Sequence, residues 1–256
     1  MRRCAVLALL ALLIPLPSRA APTGCTDGTP GDDEIRCTRA DDTHEGDAGD
    51  DLVLGRAGDD HLGGGTGDDR VYGEIGMDVL RGDDGADVLR GATGNDSMSG
   101  GPGDDRLAGS TGADAATGGD GDDRLAGGPD DDQLKGGPDD DRVSAGAGDD
   151  RINTGPGDDR VLADDGDDAL VTHGGVDIVE GGNGSDSIDP GRGKDHVDAG
   201  AGDDSIDAAD GYRDVIVCGP GHDDVTADAE DVVTRRCESV ERSPATSRRR
   251  VASRRP

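Results

Sequence analysis

Aliphatic residues recur along this chain once every nine positions. Counted in nines from Gly28, twenty units run without an insertion to Asp207. The eighth position is Val, Ile, Leu or Met in eighteen of them, with His44 and Ala116 the exceptions. Strand alternation sends position 8 inward and positions 7 and 9 outward. Position 7 fits an outward place, because it often holds Arg, as at Arg70, Arg106 and Arg124. Position 6 is Asp in all twenty units, and position 4 is Gly in seventeen, with Ala40, Asp130 and Asp139 the exceptions. Positions 1 and 2 are rich in Gly. Glycine at 1, 2 and 4 predicts tight turns with positive φ. The unit reads G-G-x-G-x-D-x-U-x with U aliphatic, as in Gly64-Gly65-Thr66-Gly67-Asp68-Asp69-Arg70-Val71-Tyr72. The pattern predicts an all-β chain of short strands joined by turns.

This unit resembles the RTX, or haemolysin-type, calcium-binding nonapeptide repeat, and the resemblance covers residues 28–207. It implies that six residues form a turn that holds Ca²⁺ and three form a short strand. It also implies that two nonapeptides make one coil of a right-handed parallel β-roll, a β-solenoid. Stacked neighbours then lie eighteen residues apart, in two Asp columns. One is Asp33, Asp51, Asp69, Asp87, Asp105, Asp123, Asp141, Asp159, Asp177, Asp195. The other is Asp42, Asp60, Asp78, Asp96, Asp114, Asp132, Asp150, Asp168, Asp186, Asp204. By the same resemblance, each of multiple Ca²⁺ ions sits between adjacent members of a column, with backbone carbonyls from both turns. The residue chemistry agrees, because Ca²⁺ takes hard oxygens from carboxylates and carbonyls, and extracellular sites half-saturate at about 10⁻⁴–10⁻³ M. Ten coils at about 4.8 Å would give a rod on the order of 48 Å long.

Composition says why the metal matters. Asp plus Glu is 58 against 26 for Lys plus Arg, a formal charge of −32, with 46 Gly, no Trp or Phe, and only Tyr72 and Tyr212. High charge and few aromatics are the marks of a disordered chain. Each coil buries only about two aliphatic side chains, and stacked carboxylates repel. The bare chain is therefore expected to be largely disordered, with cation binding supplying the free energy of folding. Weak units are residues 37–45 (Cys37, Ala40, His44) and 109–117 (Ala113, Ala116), where poor packing is expected. Asp130 and Asp139 replace turn glycines, so a different local backbone is expected there.

The ends read differently. Met1-Arg2-Arg3, the apolar stretch to Leu16, and Ser18-Arg19-Ala20 form an N-terminal signal peptide over residues 1–20, implying secretion and no membrane span after its removal. Cleavage removes three Arg and no acid, taking the charge from −32 to −35. A lipoprotein reading of Thr23-Gly24-Cys25 is weaker, because Pro22 stands where an aliphatic residue is wanted. Residues 21–36 are an N-terminal cap with the first repeat, 37–207 the repeats, 208–241 a C-terminal cap and 242–256 a disordered basic tail. The phase slips by one residue after Asp207, and Asp214 and Asp223 then resume the step. Cys25, Cys37, Cys218 and Cys237 remain in the mature chain, an even count that fits two disulfides in an exported protein. Four cysteines allow three pairings. Proximity favours Cys25–Cys37 and Cys218–Cys237, the second stapling the C-terminal cap. A zinc site is the alternative, but close CxxC spacing is missing.

No nucleophile, zincin or phosphate-loop motif appears, and the five His lie within repeat or cap sequence, so no enzyme is expected. Asp pairs such as Asp68-Asp69 are explained by the repeat. Arg106, Arg124, Arg142 and Arg160 are each eighteen residues apart and would line one outer face, with Asp104, Asp122, Asp140 and Asp158 alongside. This is either a ladder for acidic glycans or a partner surface, or a set of exposed Asp–Arg pairs contributing under about 1 kcal/mol each. The expected function is a secreted, non-catalytic calcium-binding protein in a structural or interaction role. Two alternatives stay open: a calcium-dependent cell-surface adhesin or carbohydrate-binding module, and an accessory module of a secreted hydrolase. No nucleic-acid partner is expected.

Overall fold

A computed structural model describes residues 25–234 and 236–242. The expected signal peptide, and the tail from Ser243 onward, lie outside the described residues. Twenty-six strands run from β1 (Glu34–Arg36) to β26 (Ser239–Arg242), and there is no helix among the described residues. Two twelve-stranded parallel sheets take alternate strands, one starting at β1 and the other at β2 (Thr43–Glu45). The chain thus winds from sheet to sheet as a parallel β-solenoid of about twelve turns.

The register is the sequence period made visible. Val53 pairs with Val71, Leu107 with Leu125 and Ile152 with Leu170, each eighteen residues apart. Two nonapeptides per turn place all position-8 side chains in one internal stack. Ile35, Val53, Leu62, Val71 and the rest are at most 5 % exposed, so they make up nearly the whole core. Ala116 belongs to it and keeps a six-residue strand, Ala115–Asp120. His44 is only half-buried at the open N-terminal end, with Nδ1 3.0 Å from Asp27 Oδ1.

Many strands are longer than the three residues expected. Leu52–Ala57, Arg70–Ile75 and Arg106–Thr111 each run through positions 1–3 of the following unit. The backbone bends at position 2, where φ is positive even without glycine, as at Glu74 (φ 77°) and Ser110 (φ 85°). Asp130 (φ 81°) and Asp139 (φ 82°), which replace position-4 glycines, keep a positive φ, a region that Asp tolerates better than most residues. That φ lies well below the 125° and 136° of Gly121 and Gly148 on either side, so the local backbone differs there as expected.

The segment after Asp207 continues the ladder. Val197 pairs with Ile216 and Ile206 with Val225, so one extra residue is absorbed in each turn. Ile216 then pairs with Val233 and Val225 with Val240. These turns add two rungs to each sheet, which is why the solenoid has about twelve turns where the repeats alone give ten. Disulfides join Cys25 to Cys37 and Cys218 to Cys237, one at each end. The zinc alternative therefore fails: the thiols are consumed by bonds to each other, even though Cys25, Cys37 and His44 lie close together.

Candidate metal-binding columns

The position-6 aspartates turn inward at the corners, and all from Asp51 to Asp204 are at most 3 % exposed. Burying so many carboxylates demands that each polar atom be used. Three of the four are used by stacking. The backbone N–H of Asp87 donates to Asp105 Oδ1 at 2.8 Å, and that of Asp105 donates to Asp123 Oδ1 at 2.8 Å. The Asp87 carbonyl accepts from the N–H of Arg106 at 2.8 Å. The same acceptor ladder runs from Asp33 to Asp231 in one column and from Asp42 to Asp223 in the other.

The fourth atom is different. Oδ2 is buried without a hydrogen-bond partner in nineteen aspartates: Asp51, Asp60, Asp69, Asp78, Asp87, Asp96, Asp105, Asp114, Asp123, Asp132, Asp141, Asp150, Asp168, Asp177, Asp186, Asp195, Asp204, Asp214 and Asp223. From Asp51 to Asp141, and again at Asp186, this oxygen faces the position-1 glycine of its own unit. A Cβ placed on Gly100 would fall 2.1 Å from Asp105 Oδ2 and 2.7 Å from the carbonyl oxygen of Gly118, one turn on. Position-1 glycine is therefore a matter of space alone, whereas the glycines at positions 2 and 4 combine close approach with positive φ, as at Gly101 and Gly103. A carboxylate oxygen and a carbonyl oxygen meeting at one buried spot repel unless a proton or a cation lies between them.

Electrostatics give the same reading. Burial first of all, and then the neighbouring carboxylates, push Asp105, Asp132, Asp141, Asp168, Asp177 and Asp214 up to about 7. Asp60, Asp78, Asp87, Asp96, Asp123, Asp150, Asp186 and Asp195 rise to about 6. The backbone N–H bond to Oδ1 offsets only part of each rise. These columns bind a proton far more readily than a free Asp, and a hard divalent cation satisfies the same need. Hard, anionic oxygens facing carbonyls are the donor set that suits Ca²⁺.

Three aspartates are satisfied otherwise. Asp33 Oδ2 accepts from the Thr29 N–H (2.6 Å) and hydroxyl (2.7 Å), and Asp42 Oδ2 accepts likewise from Thr38 at 2.8 Å each. In the interior, Thr154 stands at position 1, and its buried hydroxyl donates to Asp159 Oδ2 at 2.5 Å. Two further aspartates join the columns beyond the strict repeat. Asp214 and Asp223 carry the same unpartnered oxygen, and the one-residue slip had separated them from the twenty in-phase positions.

Outside, the position-5 carboxylates form a second ladder of opposite polarity. The Asp122 N–H donates to Asp104 Oδ1 at 3.1 Å and the Asp158 N–H to Asp140 Oδ1 at 2.8 Å. The Asp–Arg pairs expected on this face do not form: among the described residues only Arg160 of the four arginines has an acidic partner, and it is Glu180, at 3.0 Å.

Fold and columns together define a repeat solenoid whose turns are built around stacked, inward-facing carboxylates. Comparison with known families agrees: a model of the RTX calcium-binding nonapeptide repeat matches segments that together span residues 27–213. The chain belongs to the RTX calcium-binding repeat family. No curated protein matches the chain.

Proposed function

We propose that this chain is an exported protein that folds as multiple Ca²⁺ ions fill its carboxylate columns, and that its role is structural or one of interaction, without catalysis. The single observation that carries this reading is the set of nineteen buried Oδ2 atoms with no donor, recurring through the stack. Position-6 carboxylates and neighbouring carbonyls would hold the ions. Bound Ca²⁺ supplies charge neutralisation and cross-links between turns; everything else in the site is backbone stacking. Two disulfides support an oxidising, extracellular setting, as does the sequence of residues 1–20. Among the described residues, no helix is long and apolar enough to cross a membrane.

The test is a calcium count. Equilibrium dialysis of the mature chain with ⁴⁵Ca²⁺ is expected to show many ions per chain, with half-saturation at about 10⁻⁴–10⁻³ M. Binding of one or two ions only would overturn the proposal, because the unpartnered oxygen recurs through the whole stack.

A further inference from the structure

We propose that the outer face of the sheet containing β1 is a rail for a linear anionic polysaccharide. Arg106, Arg124, Arg142 and Arg160 are direct cross-strand neighbours there: Arg124 pairs in register with both Arg106 and Arg142, and Arg142 with Arg160. All four are exposed. Like charges directly opposite on adjacent strands repel. Among the described residues, none of the position-5 acids beside them forms an ion pair with them. Asp104, Asp122, Asp140 and Asp158 instead spend Oδ1 on the backbone N–H of the next turn, at 2.7–3.1 Å. On a chain of net charge −32, four aligned cations with one acidic partner between them are complementary to a ligand with regularly spaced negative charges. Strand spacing sets their separation at about 4.8 Å and the length of the rail at about 14 Å.

The next file on the same face has room for such a ligand. Ala108, Ala126 and Ser144 pair in register beside the arginines and form a low shelf. The file continues through Arg90 to Tyr72, which offers an aromatic face to a sugar ring. Nucleic acid fits less well. A chain with no Trp or Phe and two Tyr lacks the stacking platforms that bases use.

The proposal rests on the calcium-folded solenoid, so every arm is run on the full mature chain in millimolar calcium, with circular dichroism showing that it is folded. The probes are hyaluronate (carboxylated), dextran sulfate (sulfated), neutral dextran and duplex DNA, measured by affinity electrophoresis. The native chain is expected to be retarded by one or both anionic polysaccharides and not by neutral dextran. The quadruple variant R106S/R124S/R142S/R160S is expected to bind on the order of tenfold or more weakly, with a flatter salt dependence, since each lost ionic contact removes part of both. Ala126→Glu leaves every arginine in place and puts an acid on the exposed shelf; it is expected to weaken binding as well. Arg151→Ser, on the other sheet, is expected to change nothing. Unchanged binding by the quadruple variant or by Ala126→Glu, no retardation by either polysaccharide, or stronger retardation by DNA would each overturn the proposal.

Discussion

Replacing Asp105 by Asn should have opposite effects with and without calcium. Asp105 is fully buried; its Oδ1 accepts from Asp87 N–H at 2.8 Å and its Oδ2 has no donor. Burial, and then the charges of Asp87, Asp123 and Asp104, push its carboxyl from 3.8 up to about 7. A carboxyl raised on folding favours the folded state below its unfolded value and loses that contribution as pH rises through its folded value. At pH 8 in chelator the charge therefore opposes folding. Three units at about 1.4 kcal/mol each set an upper bound of about 4 kcal/mol, which solvent and structural relaxation reduce to about 2 kcal/mol. Asn keeps the Oδ1 acceptor, and its amide group can donate towards the carbonyl of Gly118 that shares the cradle. The metal-free variant should thus be more stable than the native chain by about 2 kcal/mol. In saturating calcium the sign reverses, because a charged ligand is lost and its partners stay buried, at a cost of about 1–3 kcal/mol. Urea melts at pH 8 in calcium measure the loss, and far-UV circular dichroism at pH 8 in EDTA reads the gain as strand signal above that of the native chain. A variant equally destabilised in both conditions would refute the reasoning, since Asp105 would then be a plain packing residue.

Other consequences follow from the same geometry. Because many buried carboxyls are raised on folding, Asp60 to about 6 and Asp105 to about 7 among them, the chain in EDTA should gain strand signal as pH falls from 8 to 5, and calcium half-saturation should rise over the same range as protons compete. A pH-independent EDTA spectrum would contradict this. Thr154→Gly removes the hydroxyl bonded to Asp159; it should add one calcium ion to the dialysis count and, in EDTA, destabilise any residual structure by about 1.5–3 kcal/mol. An unchanged count would mean that the hydroxyl does not stand in for an ion. The double variant C218S/C237S opens a loop of sequence separation 19 and should cost about 3 kcal/mol in calcium, with limited proteolysis beginning after Asp207; digestion that starts elsewhere would show that the final turns do not depend on the bond.

Much of this structure is legible in nine-residue counting. The Asp period fixed the columns, the aliphatic period fixed the core, and the eighteen-residue register followed from two units per coil. What stayed hidden was atomic. The sequence shows an Asp at each corner but not that Oδ1 is consumed by the preceding turn, leaving Oδ2 alone. Position-1 and position-4 glycines look alike in the pattern, yet Gly100 is needed for space alone, whereas Gly103 has a φ of 139° and would also place a Cβ 1.9 Å from the Gly85 carbonyl oxygen. Thr154 carries no mark in the nine-residue pattern, because a hydroxyl's reach to Asp159 depends on a side-chain approach that spacing does not encode. The two final turns were obscured by the slip after Asp207, since turns closing over 19, 17 and 15 residues break a strict count while keeping the ladder. The arginine column was visible as a spacing, but only the position-5 hydrogen bonds show that its neighbouring acids are already engaged.

The N-terminal turns differ from those that follow. From Asp51 to Asp150 every position-6 Asp has an unpartnered oxygen, and every position 1 up to Gly136 is glycine apart from Cys37. Further on, Ala145, Ala163 and Ala199 fill position 1 with buried methyl groups, and Thr154 supplies its own hydrogen bond. Both ends carry disulfides and Thr or Glu donors and acceptors that need no ion. The long middle of the rod is thus the part whose order depends most on cations, in keeping with nearest-neighbour coupling in solenoids.

The most direct measurement is small-angle scattering with far-UV circular dichroism on the mature chain, in excess EDTA and again in millimolar calcium at pH 7.5. Mutual repulsion of the buried carboxylates predicts an expanded, strand-poor chain in EDTA and a compact rod, roughly 58 Å long for twelve turns, once calcium is added. A strand-rich rod of the same dimensions in both samples would contradict it.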